Sequence, residues 1–333
     1  MNTEILKKLM TVQGVSGGES AISERIKALI APYVDECYND VMGNLIAVKK
    51  GTAAAPKKIM LCAHMDEIGF IVTHIEDNGL VRFATIGGIN FTAYSYTTVQ
   101  SSKGVRGVLV PESDVAAGSI TFDKCYIDIG AKDKKDAERR VSVGDYFAVD
   151  PSLVRLMGSR IAGRPMDDRA GCAILIMVAE KLANGCANDV YYVFSVQEEV
   201  GCRGAKPASF AIAPDLALVY DVTRTGDTPG AKPMAVKLGG GAAIKIKDSS
   251  VICHAQTVGE LIDTAKANKI KYQCEVLTAG GTDTSSIQMT GVGCRAAAIS
   301  IPTRYIHSGV EMIDTADLEA TVALTVAYIG DNK

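Results

Sequence analysis

Imidazole is scarce in this chain: among 333 residues only His64, His74, His254 and His307 carry it, so any chemistry that needs it draws on these four. His64 stands in Ala63-His64-Met65-Asp66-Glu67-Ile68-Gly69, directly after an apolar run, with two carboxylates beside it. Other acids are placed in the same way. Pro165-Met166-Asp167-Asp168-Arg169 precedes a long apolar helical pattern, Gln197-Glu198-Glu199-Val200-Gly201 follows the run ending at Val196, and Tyr220-Asp221-Val222 closes another run. Arg304-Tyr305-Ile306-His307-Ser308 follows the run ending at Ile301. Each alone has a plain structural explanation, either a polar turn after a strand or an aspartate capping a helix. A cap accounts for one aspartate of the Asp167–Asp168 pair, not for both. Together, the ends of separate apolar strands collect His64, Glu198, Glu199, Asp221 and His307, while Asp167 opens the helix between them. Imidazole and carboxylate without thiolate suit a catalytic Zn²⁺ or Co²⁺, and a shared aspartate could bridge two such ions. The chemistry expected is hydrolysis at a dinuclear metal site.

The elements that must position these groups follow from the hydrophobic period. Thr3 to Tyr33 carries two amphipathic helical patterns around the loop Gly14-Val15-Ser16-Gly17-Gly18, then a turn and strand over Asp40 to Val48 and an apolar strand over Lys57 to Cys62. After Gly69 the helical period gives way to alternating segments between Gly and Asn turns, the texture of a small all-β domain. Helical texture returns near Arg164, with a helix over Arg169 to Leu182 and a buried strand over Val190 to Val196. Strands near Leu216 to Tyr220, Ala243 to Ile246, Tyr272 to Leu277 and Ala296 to Ile301 then alternate with helices, the last over Thr315 to Ile329. This order predicts an α/β fold interrupted by an inserted β domain. The candidate residues fall at strand C-terminal ends, where open α/β sheets build their sites.

Composition narrows the partners. Lys+Arg 35 against Asp+Glu 38 leaves no concentrated basic surface, so nucleic acid is not expected. Apolar runs such as Cys172 to Ala179 fall short of the roughly 18 residues of a membrane span, and no membrane partner is expected. Nine cysteines with no C-x-x-C pair read as reduced thiols of a cytoplasmic protein.

Over nearly its whole length the chain resembles the two-metal aminopeptidases that assemble as hollow tetrahedral dodecamers, the glutamyl or deblocking aminopeptidases. The segments that carry the likeness are 63–69, Asp167-Asp168-Arg169, 196–201, Ser250-Val251-Ile252-Cys253-His254, Gly280-Gly281-Thr282-Asp283 and 304–308. The resemblance implies an α/β/α sandwich of the zinc-peptidase type: a catalytic domain of residues 1–68 and 163–333, and an inserted β-barrel-like dimerisation domain over 69–162. It implies two divalent ions per chain, zinc or cobalt, with His64 and Asp221 on one, Glu199 and His307 on the other, and Asp167 bridging both. Asp167 is taken rather than Asp168 because family members share a cis peptide after the bridging aspartate. Glu198 would be the general base, Asp66 would orient His64, and Gly280, Gly281 and Thr282 would wall the pocket for the first side chain. The substrates implied are peptides, cut at their N-termini, and the assembly implied is a homo-oligomer of dimers reaching a dodecamer.

Other features read as structural. His74 is expected as a half-buried strand residue, His254 as structural or cavity-lining, and Ser285, Ser308 and the cysteines as structural. Leu238-Gly239-Gly240-Gly241-Ala242-Ala243 lacks the G-K-[ST] of a phosphate loop, so its glycines are expected to admit a close approach of backbone; relatives often carry Lys where Gly240 stands. Two competing readings are a glycosidase, which needs two carboxylates facing each other across a sugar, and a binding protein that has lost its metals.

Overall fold

The structure, a computed structural model, describes residues 3–89, 94–113, 115 and 120–331. Two amphipathic helices, α1 (Glu4–Met10) and α2 (Ser20–Ile30), lead into strands β1 (Glu36–Asn39), β2 (Leu45–Lys49) and β3 (Lys58–His64). The turn and strand expected over Asp40 to Val48 are a turn from Asp40 to Asn44 and β2 from Leu45. Asp40 Oδ1 accepts from the backbone N–H groups of Met42 at 2.9 Å and Asn44 at 3.0 Å, which locks a turn there and lets β1 pair back on β2.

Next come β4 (Gly69–Ile75), β5 (Val81–Ile86), β6 (Thr97–Ser101), β7 (Arg106–Pro111), β8 (Cys125–Asp128), a single helical turn α3 (Lys134–Ala137) and β9 (Tyr146–Val149). These six strands close into a barrel in the order β4-β5-β8-β7-β6-β9, which leaves no free strand edge. Its own apolar core includes Phe70 and Phe83, packed edge to face with centroids 4.9 Å apart.

Beyond the barrel run β10 (Ser152–Arg155), β11 (Arg160–Arg164), α4 (Arg169–Lys181), β12 (Asp189–Ser195), α5 (Ala205–Ile212), β13 (Leu216–Thr223), β14 (Ala242–Lys247) and α6 (Ala255–Ala267). The chain continues with β15 (Tyr272–Val276), α7 (Thr284–Gln288), β16 (Ala296–Arg304), β17 (Glu311–Asp314) and α8 (Thr315–Asp331). The alternation in β10 and β11 reads like that of the barrel strands, yet both join the large sheet instead, β11 pairing with β17. The barrel therefore ends at Val149.

The large sheet has eleven strands, with β12, β3, β13 and β16 mutually parallel at its centre. From Ile59 onward β3 is buried, and β13 is buried throughout, which explains their unbroken apolar sequences. Parallel pairing brings the C-terminal ends of all four strands to one edge of the sheet, and His64, Asp66, Glu198, Glu199, Asp221 and His307 lie in or just after these strands, while Asp167 precedes α4 and Gly280, Gly281 and Thr282 follow β15. No helix among the described residues is long and apolar enough to cross a membrane.

Candidate metal centre

The register of β3 sets His64 at the sheet's edge, buried, between two sets of acids. Its Nδ1 lies 3.1 Å from the carbonyl oxygen of Asp66 and 3.5 Å from Asp66 Oδ1. On the other side of the ring, Nε2 lies 3.0 Å from Asp167 Oδ1 and 3.7 Å from Asp221 Oδ1. The second oxygen of Asp167 faces the other imidazole: Oδ2 is 3.2 Å from His307 Nε2, which is 3.3 Å from Glu199 Oε2. Two donor triads result, His64–Asp167–Asp221 and Asp167–Glu199–His307, each with its ligand atoms within 4.8 Å of one another and with Asp167 common to both.

Burial and hydrogen bonds hold this arrangement. Asp168 caps α4, its Oδ1 accepting from Gly171 N–H at 3.0 Å, so the two adjacent aspartates divide between a cap and the centre. The peptide between them is cis, as the resemblance implied. Asp66 does more than face His64. Its Oδ1 accepts from Glu198 N–H at 3.0 Å, and its Oδ2 from Glu199 N–H at 3.2 Å and from the Ser16 hydroxyl at 2.6 Å. Glu311, which drew no attention in the sequence, is a second hub. Its Oε2 accepts from Met166 N–H at 2.7 Å and Asp167 N–H at 3.1 Å, while Oε1 accepts from His307 N–H at 3.1 Å and from Arg164 Nη1 at 3.2 Å. One buried carboxylate thus fixes the backbone under both Asp167 and His307. His307 needs that support, since its φ of 59° lies in the left-handed region.

Electrostatics test whether these residues suit cations. Burial and the neighbouring Asp167 push the Glu199 carboxyl up to about 7, and burial raises Glu198 and Asp221 as well. Although burial opposes charge on the rings, Asp167, Asp221 and Asp66 hold His64 well above its ordinary value, and Asp167 and Glu199 bring His307 to about 11. Carboxylates crowded away from water attract positive charge. Glu199 Oε1 is buried with no hydrogen-bond partner, a lone pair of the kind a metal ion satisfies. Imidazoles and carboxylates at these spacings fit Zn²⁺ or Co²⁺ in both triads.

A profile of the M42 glutamyl aminopeptidases matches residues 43–324. The chain belongs to the M42 glutamyl aminopeptidase family. It is therefore an aminopeptidase, a peptide hydrolase. It is 45% identical to a putative aminopeptidase of Acetivibrio thermocellus across 98% of both chains. Among solved structures it resembles the aminopeptidase APDkam598 of the archaeon Desulfurococcus kamchatkensis, with a TM-score of 0.95, 37% identity and coverage of 98% of this chain and 94% of that one. It also resembles PhTET1-12s, solved as a dodecamer, with a TM-score of 0.89, 33% identity and coverage of 99% of both chains.

In this M42 chain the two triads line a cavity of about 300 Å³, whose walls also include Gly280, Gly281 and Thr282 together with Leu277, Ile306 and Lys245. A Cβ at Gly281 would meet Ser250 Oγ at 2.8 Å, so a side chain there would have to displace that hydroxyl. Thr282 is buried, its hydroxyl paired with that of Thr284 at 2.7 Å. Lys245, unremarked in the sequence, is also buried, and its ammonium is held by Glu275 at 2.9 Å and Asp248 at 3.4 Å.

The remaining candidates of the M42 sequence lie elsewhere. His74 is exposed rather than half-buried, because a bulge between Val72 and His74 shifts the register of β4 against β5. His254 caps α6, its Nδ1 accepting from Thr257 N–H at 3.4 Å. The glycine run does admit a close approach, but the group it receives is internal: Gly239 and Gly241 each donate an N–H to Asp317 at 2.7 Å.

Proposed function

We propose that this M42 aminopeptidase holds two divalent ions, zinc or cobalt, and removes N-terminal residues from peptides with a water as the nucleophile. The observation that carries the reading is the placement of Asp167, one oxygen toward His64 and the other toward His307. His64 and Asp221 would hold one ion, Glu199 and His307 the other, with Asp167 shared. When bound, the ions supply polarisation of the scissile carbonyl and a lowered pKa for the attacking water. The chain's own residues do the rest. Glu198 takes the proton of the water at its carboxylate and delivers it to the leaving nitrogen, and Asp66 fixes both Glu198 and the His64 ring. Gly280, Gly281 and Thr282 bound the space for the first side chain of the peptide.

Strands buried on both faces support an α/β/α sandwich of the zinc-peptidase type around this site, formed by the chain on either side of the barrel. The likeness to the PhTET1-12s dodecamer supports a homo-oligomer in which barrels pair subunits into dimers and six dimers close a shell. All nine cysteines are free, which supports a reducing, cytoplasmic setting. Family membership and two imidazoles among the acids favour peptide over glycoside hydrolysis, which needs no histidine.

The test is metal analysis combined with turnover. Purified protein should carry two ions per chain and hydrolyse aminoacyl chromogenic substrates. Chelation should abolish activity, and Zn²⁺, Co²⁺ or Mn²⁺ should restore it. Full activity in rigorously metal-free protein would refute the reading.

A further inference from the structure

A third group of donors adjoins the two triads. Glu198, Cys202 and Asp283 each offer one ligand atom, and these atoms lie within 4.8 Å of one another. Cys202 Sγ donates to Glu198 Oε1 at 3.2 Å. Asp283 is buried, with Oδ2 accepting from the Ser195 hydroxyl at 2.5 Å, while its Oδ1 is sealed from water with no hydrogen-bond partner. A carboxylate oxygen buried without a donor is costly until a proton or a cation satisfies it.

The chemistry of this group differs from that of the first two, because a thiol joins two carboxylates where those combine imidazole and carboxylate. A thiolate selects soft or borderline ions such as Zn²⁺ and Cd²⁺ over Mg²⁺, Ca²⁺ or Mn²⁺. Three protein ligands with a water in the fourth position is a common zinc arrangement. Cys202 lines a second cavity, of about 380 Å³, beside Arg203, Lys206, Ser286 and Met289, none of which lines the peptide cavity.

We propose that Glu198, Cys202 and Asp283 form a third cation site, specific for a soft divalent ion, that fills after the two catalytic positions and takes the general base out of use. Binding exchanges one bond for another without redox change: the Cys202 S–H breaks, its proton leaves to solvent, and sulfur binds the ion. The ion also engages Glu198, which can then no longer accept a proton from water. The inhibitory consequence rests on the reading of Glu198 as the base, whereas the site itself does not.

The two are separated by titrating the intact enzyme, loaded with two equivalents of Zn²⁺, with Cd²⁺ or further Zn²⁺. Total bound metal, the ultraviolet thiolate-to-Cd²⁺ charge-transfer band and turnover are followed in wild type and Cys202→Ser. Wild type should bind a third ion and develop the band, while kcat falls about 10²-fold or more, as expected for a disabled general base. Cys202→Ser should lose the third ion, the band and the inhibitory phase. Should the serine variant fold poorly, Cys202→Ala and the release of about one proton per Cd²⁺ from wild type provide the same decision. A wild type that saturates at two ions, or a Cys202→Ser protein that keeps the third ion and the band, overturns the site. A third ion and band that leave turnover untouched establish the site and refute Glu198 as the base.

Discussion

The backbone N–H of Glu198 donates to Asp66 Oδ1 at 3.0 Å, so the carboxylate that faces His64 also holds the residue proposed to move the proton. The loop carrying both glutamates is therefore registered directly against the strand that carries His64. Asp66→Asn retains one acceptor and loses the charge facing the ring. It should lower kcat about 10–100-fold, the usual effect of removing a partner behind a metal ligand, with a smaller change in KM. Steady-state kinetics with parallel metal analysis check this, and unchanged kcat would show that Asp66 supports nothing at the centre.

Glu311 is buried opposite Arg164, which is itself 1% exposed. Glu311→Ala leaves that guanidinium uncompensated and should cost about 3–5 kcal/mol of stability, as for other broken buried pairs. It should also loosen Asp167 and His307 together. Denaturant unfolding and metal content measure the two effects. Glu311→Gln, which keeps the shape, should cost less on both.

His307 and His74 make a matched comparison of an imidazole in the centre with one on the barrel surface. His307→Ala should lower the occupancy of one ion and reduce activity strongly, while His74→Ala should change neither. Metal analysis and turnover of the two variants decide this, and equal losses would mean that the histidines have been assigned wrongly.

Asp227 offers a pH test outside the centre. Against its partial burial, Arg304 at 2.7 Å together with Thr225 and the Leu238 N–H holds its carboxyl at about 2, below the ordinary 3.8. A depressed folded pKa gives stability that is complete above the unfolded value and is lost as pH falls from about 4 to about 2. Because the pair is solvent-accessible, its worth is no more than about 1 kcal/mol. Asp227→Asn should be less stable than wild type at pH 6, and denaturant titrations should show the gap closing toward pH 2.

Much of the centre was legible in the sequence, for a physical reason. Strands buried on both faces read as unbroken apolar runs, so the polar residues that end them stand out, as His64 does after Cys62-Ala63 and Asp221 after Val219-Tyr220. Glu311 was not legible, because its importance lies in hydrogen bonds to backbone N–H groups, at residues 166 and 167 far back along the chain and at the nearby residue 307, and side-chain patterns carry no trace of those. The allegiance of β10 and β11 was hidden similarly, since alternation reports a strand but not its partner. The glycine run announced a close approach, but nothing in its sequence named Asp317 as the group received.

The most direct measurement sets Glu198→Gln against Glu199→Gln. Glutamine at 198 keeps the size but cannot accept a proton, so metal content should stay at the wild-type level while kcat falls about 10²–10⁴-fold. Glutamine at 199 replaces the proposed anionic ligand with a neutral amide, so one ion should be depleted first, and added metal should partly restore activity. If Glu198→Gln proves depleted of metal while Glu199→Gln is fully loaded and inactive, the two residues have the opposite roles and the proposed mechanism is wrong.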